Sequence, residues 1–170
     1  MTDAAETSRS PVRPPLDALA DSWEAAWVGR RTASFTDCCT GDVQYEDPVV
    51  VEPALGVETL AAHAKRLWQA FPDIRIERTG QRIGSAGFGC LPWRVLGTHR
   101  GDLAGLPATG RFLTLHGIHY VEIADGRIRR ARGFFDLYEA GAQLGLLPTR
   151  GGLGETALLL LRGFGLRPRA

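Results

Sequence analysis

Along residues 16–35 apolar side chains return at helical spacing (Leu19, Trp23, then Ala26 or Trp27), which predicts an amphipathic helix broken at Gly29. A second short helix follows and ends near Cys39. Thr40-Gly41-Asp42 reads as a turn, and residues 43–47 as a short strand stopped by Pro48. Gly56 opens a helix to about Phe71, with Leu60, His63 or Ala64, Leu67 and Phe71 on one face, and Pro72-Asp73 ends it. Residues 74–79, 88–99, 111–123 and 127–135 are then runs rich in β-branched and aromatic residues. They are separated by Ser85-Ala86-Gly87, by a loop over 101–110 and by Ala124-Asp125-Gly126, a tight hairpin signal. Two short helices, 137–144 and 155–163, close the chain. Helices first and an antiparallel meander afterwards make an α+β fold.

Side chains alternate across a strand, so parity decides which residues share an interior. In the run 111–123 the row Leu113, Leu115, Gly117, His119, Val121 and Ile123 is the more apolar and is expected to face the core, with His119 among aliphatic side chains. In 88–99 the inward row is Trp93, Val95, Gly97 and His99. In 127–135 neither Arg130, Arg132, Phe134, Asp136 nor Arg129, Ala131, Gly133, Phe135 is cleanly apolar, and parity does not choose between them.

The chain has 170 residues, which is about one domain and enough to remove roughly two thirds of the unfolded surface from water. Residues 1–15 are polar and proline-rich and read as a disordered tail, 16–148 as the folded domain and 149–170 as a helical extension over the pocket mouth or against a second subunit. Twenty Lys and Arg against 19 Asp and Glu leave no field to attract nucleic acid or an anionic membrane. The cluster Arg127, Arg129, Arg130 and Arg132 lacks interleaved aromatics and reads as a solvated sheet face. Cys38, Cys39 and Cys90 form neither a disulfide framework nor a zinc spacing. Residues 1–15 hold no apolar run and do not read as a signal peptide, and a cytoplasmic location is the expectation. His63, His99, His116 and His119 share neither strand parity nor an i, i+4 helical pairing, so neither metal nor cofactor is expected. The expected partner is a small apolar molecule.

The segments Gly97-Thr-His-Arg-Gly101, Gly105-Leu-Pro-Ala-Thr-Gly-Arg111, Asp125-Gly-Arg-Ile128, Phe134-Phe-Asp136 and Gln143-Leu-Gly145 together resemble the SnoaL-like polyketide cyclases. The resemblance covers residues 16–148. It implies a nuclear-transport-factor-2-like cone, in which a curved, mainly antiparallel sheet is wrapped by N-terminal helices around an apolar pocket. It also implies cofactor-free acid/base chemistry: aldol cyclisation, or proton transfer alpha to a ketone, on a cyclic or polyketide-like substrate. In characterised cyclases of this group an aspartate at the end of the last long strand is the general acid/base, and Asp136 is matched to it. Tyr45-Glu-Asp-Pro48 resembles the ketosteroid isomerase strand that carries a catalytic aspartate, so Asp47 is matched there. His119 falls where those isomerases keep a protonated Asp. The isomerases' phenolic tyrosine on the first helix has no match, since Trp23 and Trp27 stand there.

A carbon acid next to a ketone gives its proton to a positioned base, and an apolar pocket raises a carboxylate's pKa toward the working range. The candidates are Asp136, His119 and Asp47 for catalysis, and Trp23, Tyr45, Leu67, Trp93, His99 and Phe134 for the substrate wall. Several have a structural alternative. Asp136 reads equally as a helix cap, Asp47 as a turn residue, His119 as a satisfied core histidine, His99 as a surface residue, and the tryptophans as core. His63 and His116 carry no role in this reading. A non-catalytic binding or dimerisation module of the same fold, or a ketosteroid-isomerase-like enzyme, remains alongside the cyclase, and a homodimer is the expected assembly.

Overall fold

The structure is a computed structural model and describes residues 15–50, 52–103 and 105–162. The expected tail 1–15 lies outside the described residues except for Pro15, as do residues 163–170 of the extension. The chain runs α1 (Pro15–Val28), α2 (Ser34–Cys38), β1 (Cys39–Glu46), β2 (Ala54–Leu55), α3 (Gly56–Ala70), β3 (Arg75–Arg78), β4 (Ile83–Gly84), β5 (Phe88–Thr98), β6 (Phe112–Ala124), β7 (Arg127–Phe135), α4 (Leu137–Gln143) and α5 (Leu153–Leu161). The α+β order is as expected. Two-residue strands β2 and β4 carry too short a pattern to be read from sequence.

One curved sheet has the order β2-β1-β7-β6-β5-β3, with β4 also on β5. The β5-β6-β7 meander is antiparallel, while β1 lies parallel to β7, with Tyr45 opposite Ala131 and Glu46 opposite Arg132. Asp125 and Gly126 both take positive φ, 50° and 73°, the pair of conformations a two-residue hairpin turn demands.

The hairpin register shifts after this turn: Ile123 pairs with Ile128 but Glu122 with Arg130, leaving Arg129 as an extra residue. Such a bulge reverses the alternation. Ile128 and Ala131 are therefore both fully buried, and beyond the bulge Ala131, Gly133 and Phe135 form the inner row. No uniform parity fits this strand, which is why neither row of it is apolar throughout.

The helices α1 and α3 cover the concave face. Trp23, Ala26 and Trp27 of α1 and Leu60, Ala61, Ala64 and Trp68 of α3 meet Val43, Leu91, Val121, Ile128 and Ala131 of the sheet. Burying a large apolar side chain stabilises by about 1.5–3 kcal/mol, so these contacts hold the helices in place. The Arg82 guanidinium, almost wholly buried, binds Asp17, Asp21 and Glu24 and ties α1 to the sheet edge at β4. A smaller core at the far end joins Ala70, Phe71, Leu113, Leu115, Ala140 and Leu144. The terminal helix α5 buries no side chain. Among the described residues no helix is long and apolar enough to cross a membrane.

Candidate active site

β1 ends at Glu46, and the chain turns at Pro48 while β7 continues beside it. Asp47 stands at this turn, one residue past the strand and in phase with inward-facing Tyr45. Its side chain is only 3% exposed. The Val49 and Val50 amides donate to Oδ1 at 2.8 and 3.0 Å, Tyr45 Oη donates to Oδ2 at 2.9 Å, and His63 Nε2 lies 3.2 Å from Oδ2. Burial pushes the carboxyl up, but the His63, Tyr45 and Val49 bonds outweigh it and hold Asp47 below the ordinary aspartate value. The site therefore carries a desolvated, ionised carboxylate, where the sequence led us to expect a raised pKa.

His119 faces the same region from β6. Trp23 Nε1–H donates to its Nδ1 at 3.2 Å. That bond requires a neutral ring with its proton on Nε2. Burial pushes the imidazole down to about 3, against the opposing pull of Asp47. Trp27 stacks on the ring at 5.9 Å between centroids, with 13° between planes, and Trp93 lies tilted at 5.2 Å. A methyl group on Gly133 would stand 3.1 Å from Asp47 Cβ and from Tyr45 Oη, and 3.5 Å from His119 Cδ2. Asp47, Tyr45 and His119 thus converge over one bare position of β7.

The expected open apolar pocket is filled here by Trp23, Tyr45, Trp27 and Trp93, all buried. Where β1 stops short of β7, an open cleft of ≈ 330 Å³ reaches Asp47 between Glu46, Pro48, Arg132, Gly133 and Phe134. That volume is at the lower end for small-ligand sites. Among the described residues no three His, Cys, Asp or Glu side chains group as metal ligands.

The sequence profile of the SnoaL-like polyketide cyclases matches residues 17–144. The chain belongs to the SnoaL-like polyketide cyclase family. Aklanonic acid methyl ester cyclase DauD of Streptomyces sp. (strain C5) is 36% identical over 132 residues, covering 69% of this chain and 79% of that protein. The cyclase of the same name, DnrD, of Streptomyces peucetius is 41% identical over 138 residues, covering 69% and 88%. Among solved structures, TsrD from Streptomyces laurentii has a TM-score of 0.70 at 21% identity, over 81% of this chain and all of that one. A protein described as SnoaL-like from Jannaschia sp. has 0.71 at 17%, over 84% and 99%. At these identities the structures establish the fold, and the sequence relatives make the chain an enzyme of the polyketide-cyclase class.

In this SnoaL-like cyclase the site residues expected from sequence separate into two groups. Asp47, His119, Trp23, Tyr45 and Trp93 come together, and Leu67 packs half-buried on the same core. His99 is fully buried rather than at the surface, but it sits in the other core against Phe71 and Thr109. Asp136 and Phe134 share the outward row of β7, with Phe134 51% exposed. Asp136 caps α4 by accepting from the Glu139 amide at 3.0 Å and pairs with Arg150 at 2.7 Å. Its carboxyl is held low, first by that amide bond, not raised by an apolar wall. The interior placement expected for Asp136 is thus corrected: the inward residues at this end of β7 are Gly133 and Phe135. His63, given no role from sequence, is an Asp47 partner. Its position on the apolar stripe of α3 was the available signal.

Proposed function

We propose that this cyclase closes a ring, or moves a proton, on a carbonyl-rich polyketide ester of the kind its relatives are named for, with Asp47 as the base and His119 as the donor to the developing enolate. The observation that carries the reading is the buried, ionised Asp47 carboxylate opposite a neutral His119. In the first step Asp47 takes a proton from the carbon alpha to a carbonyl, and negative charge moves to the carbonyl oxygen. The Nε2–H of neutral His119 stabilises that oxygen by a hydrogen bond without surrendering its proton. In an aldol closure the enolate carbon then attacks a second carbonyl carbon, forming the C–C bond. The resulting alkoxide recovers the proton from Asp47, so the cycle balances without an electron acceptor.

Tyr45 and His63 hold the carboxylate and keep it ionised. Its low pKa costs driving force, which the enolate donor offsets. The test is exchange of the methyl protons of 2-acetylnaphthalene in D₂O, followed by proton NMR. Wild-type protein is expected to accelerate exchange and Asp47→Asn, checked for folding by circular dichroism, to abolish it. Exchange that survives in a folded Asp47→Asn protein rules the assignment out.

A further inference from the structure

The open cleft at the end of β1 is built by the parallel register. Glu46 pairs with Arg132, so one step further Asp47 comes beside Gly133 and Pro48 beside Phe134. Alternation sorts these six residues by face. Asp47 turns inward and Gly133 is bare, while Glu46, Pro48, Arg132 and Phe134 stand outward as the walls of the opening. Asp47 meets solvent on its floor. Arg132 and Phe134, two residues apart on one row, are about 7 Å from each other along the strand.

The walls differ in chemistry. Phe134 and its cross-strand neighbour Ile118, which is 40% exposed, join Pro48 in an apolar ledge at the mouth. On the other side three guanidinium groups, those of Arg129, Arg130 and Arg132, share two carboxylates, Glu46 and Glu122. Arg129 holds Glu122 at 3.1 Å, and Arg130 holds Glu46 at 2.8 Å. Arg132 is the loosest of the three. It reaches Glu46 at 3.2 Å through Nε, without the geometry of a hydrogen bond, and at 3.4 Å through Nη2. Asp136, next on the row after Phe134, is taken by Arg150. Each carboxylate thus has an arginine of its own, and the positive charge of Arg132 is left over at the cleft. A guanidinium is a planar fork of N–H donors that pairs with anionic oxygens and lies well against aromatic rings.

We propose that this cleft is the recognition end of the substrate site, where Arg132 pairs with an anionic oxygen of a flat aromatic ketone while Phe134 and Pro48 hold its ring and the ketone points to Asp47. The proposal rests on reading Asp47 as the base, and it narrows the substrate class to carbonyl compounds that carry a negative charge away from the reacting carbon. Arg132 is a specificity residue that moves no proton.

Two probes of nearly one shape, 6-acetyl-2-naphthoate and its uncharged methyl ester, are titrated into wild type, Arg132→Gln and Phe134→Ala at low salt, with affinity read by calorimetry. A charge-assisted hydrogen bond to a partly exposed guanidinium corresponds to about tenfold in affinity. Wild type is expected to favour the carboxylate by about that factor and to lose most of the preference at high salt. Arg132→Gln is expected to bring the ratio of the two affinities close to one. Phe134→Ala is expected to weaken both probes together and leave the ratio standing. Arg66→Gln, which removes an exposed charge on α3, serves as the control for net charge and is expected to leave the ratio unmoved. Equal wild-type affinity for the two probes, no binding of either, or a ratio that survives in Arg132→Gln overturns the proposal. Failure of the Asp47 assignment is distinguishable, since it is read from proton exchange in Asp47→Asn, whereas the affinity ratio is an equilibrium property that needs no proton transfer.

Discussion

The neutral His119 makes a sharp statement about pH. An unfolded histidine titrates near 6.5, whereas burial brings the folded ring to about 3. Between these values the unfolded chain binds a proton that the folded one refuses. Stability therefore falls as the pH is lowered from about 6.5, at about 1.4 kcal/mol per pH unit, and His119 contributes no slope above that window. At pH 5 the loss is about 2 kcal/mol, a substantial part of the 5–15 kcal/mol typical of a domain. Asp47 acts in a lower window: its depressed folded pKa gives stability that is present above the unfolded aspartate value of about 4 and lost below it. The comparison is urea denaturation of wild type and His119→Asn at several pH values from 7.5 to 5. The Asn amide oxygen offers Trp23 an acceptor near the position of Nδ1 but does not titrate. The two proteins share every other titrating group, so the difference of their pH slopes isolates the histidine. His119→Asn is expected to be less stable at neutral pH, through lost packing, and to close the gap as the solution is acidified. Parallel curves across this range mean that the folded ring protonates normally, which refutes the desolvated, neutral His119.

Asp136→Ala removes the α4 cap and the Arg150 pair, so a modest fall in Tm with ketone proton exchange retained is expected; loss of exchange in a folded protein returns Asp136 to the chemistry. Tyr45→Phe removes one donor to the Asp47 carboxylate, which costs about 1 kcal/mol and raises its pKa. The acid limb of the exchange rate against pH is therefore expected to move to higher pH in Tyr45→Phe, and a limb that stays put or moves down contradicts the hydrogen-bond assignment.

The sequence was most informative where one pattern governed an element from end to end. The α3 stripe from Leu60 and the β6 row from Leu113 to Val121 face inward as their periodicities require, half-buried only at Leu67 and Gly117, because each turns one face to the interior along its length, against the main core at one end and the smaller core at the other. Asp125-Gly126 marked its hairpin for a local reason, the positive φ at both positions. What the pattern did not carry is long-range. Whether His63 or His119 is an inert core residue depends on what α3 and β6 bring opposite it, and neither segment encodes that alone. The resemblance to known cyclases supplied the fold and the chemistry, yet it matched Asp136 by its place at a strand end, a property that does not distinguish inside from outside.

That distinction turns on one residue of β7. β1 and β7 run parallel, so Asp47 and Asp136, each one step beyond its strand, leave the sheet at the same end. On β1 the alternation puts Tyr45 and Asp47 inward together. On β7 the extra Arg129 shifts the phase, so that Ala131, Gly133 and Phe135 point inward and Asp136 outward. Without the bulge, the row containing Arg130, Arg132 and Phe134 would keep phase with buried Ile128 and drive two guanidinium groups into the core, at a cost no available partner there offsets. The bulge instead leaves these arginines on Glu46 and Glu122 at the surface. It also brings a glycine under the Asp47 side chain. A larger residue at Gly133 would contest the space of Asp47, Tyr45 and His119, so the bare position on one strand and the carboxylate beyond the end of the other are two parts of the same packing solution.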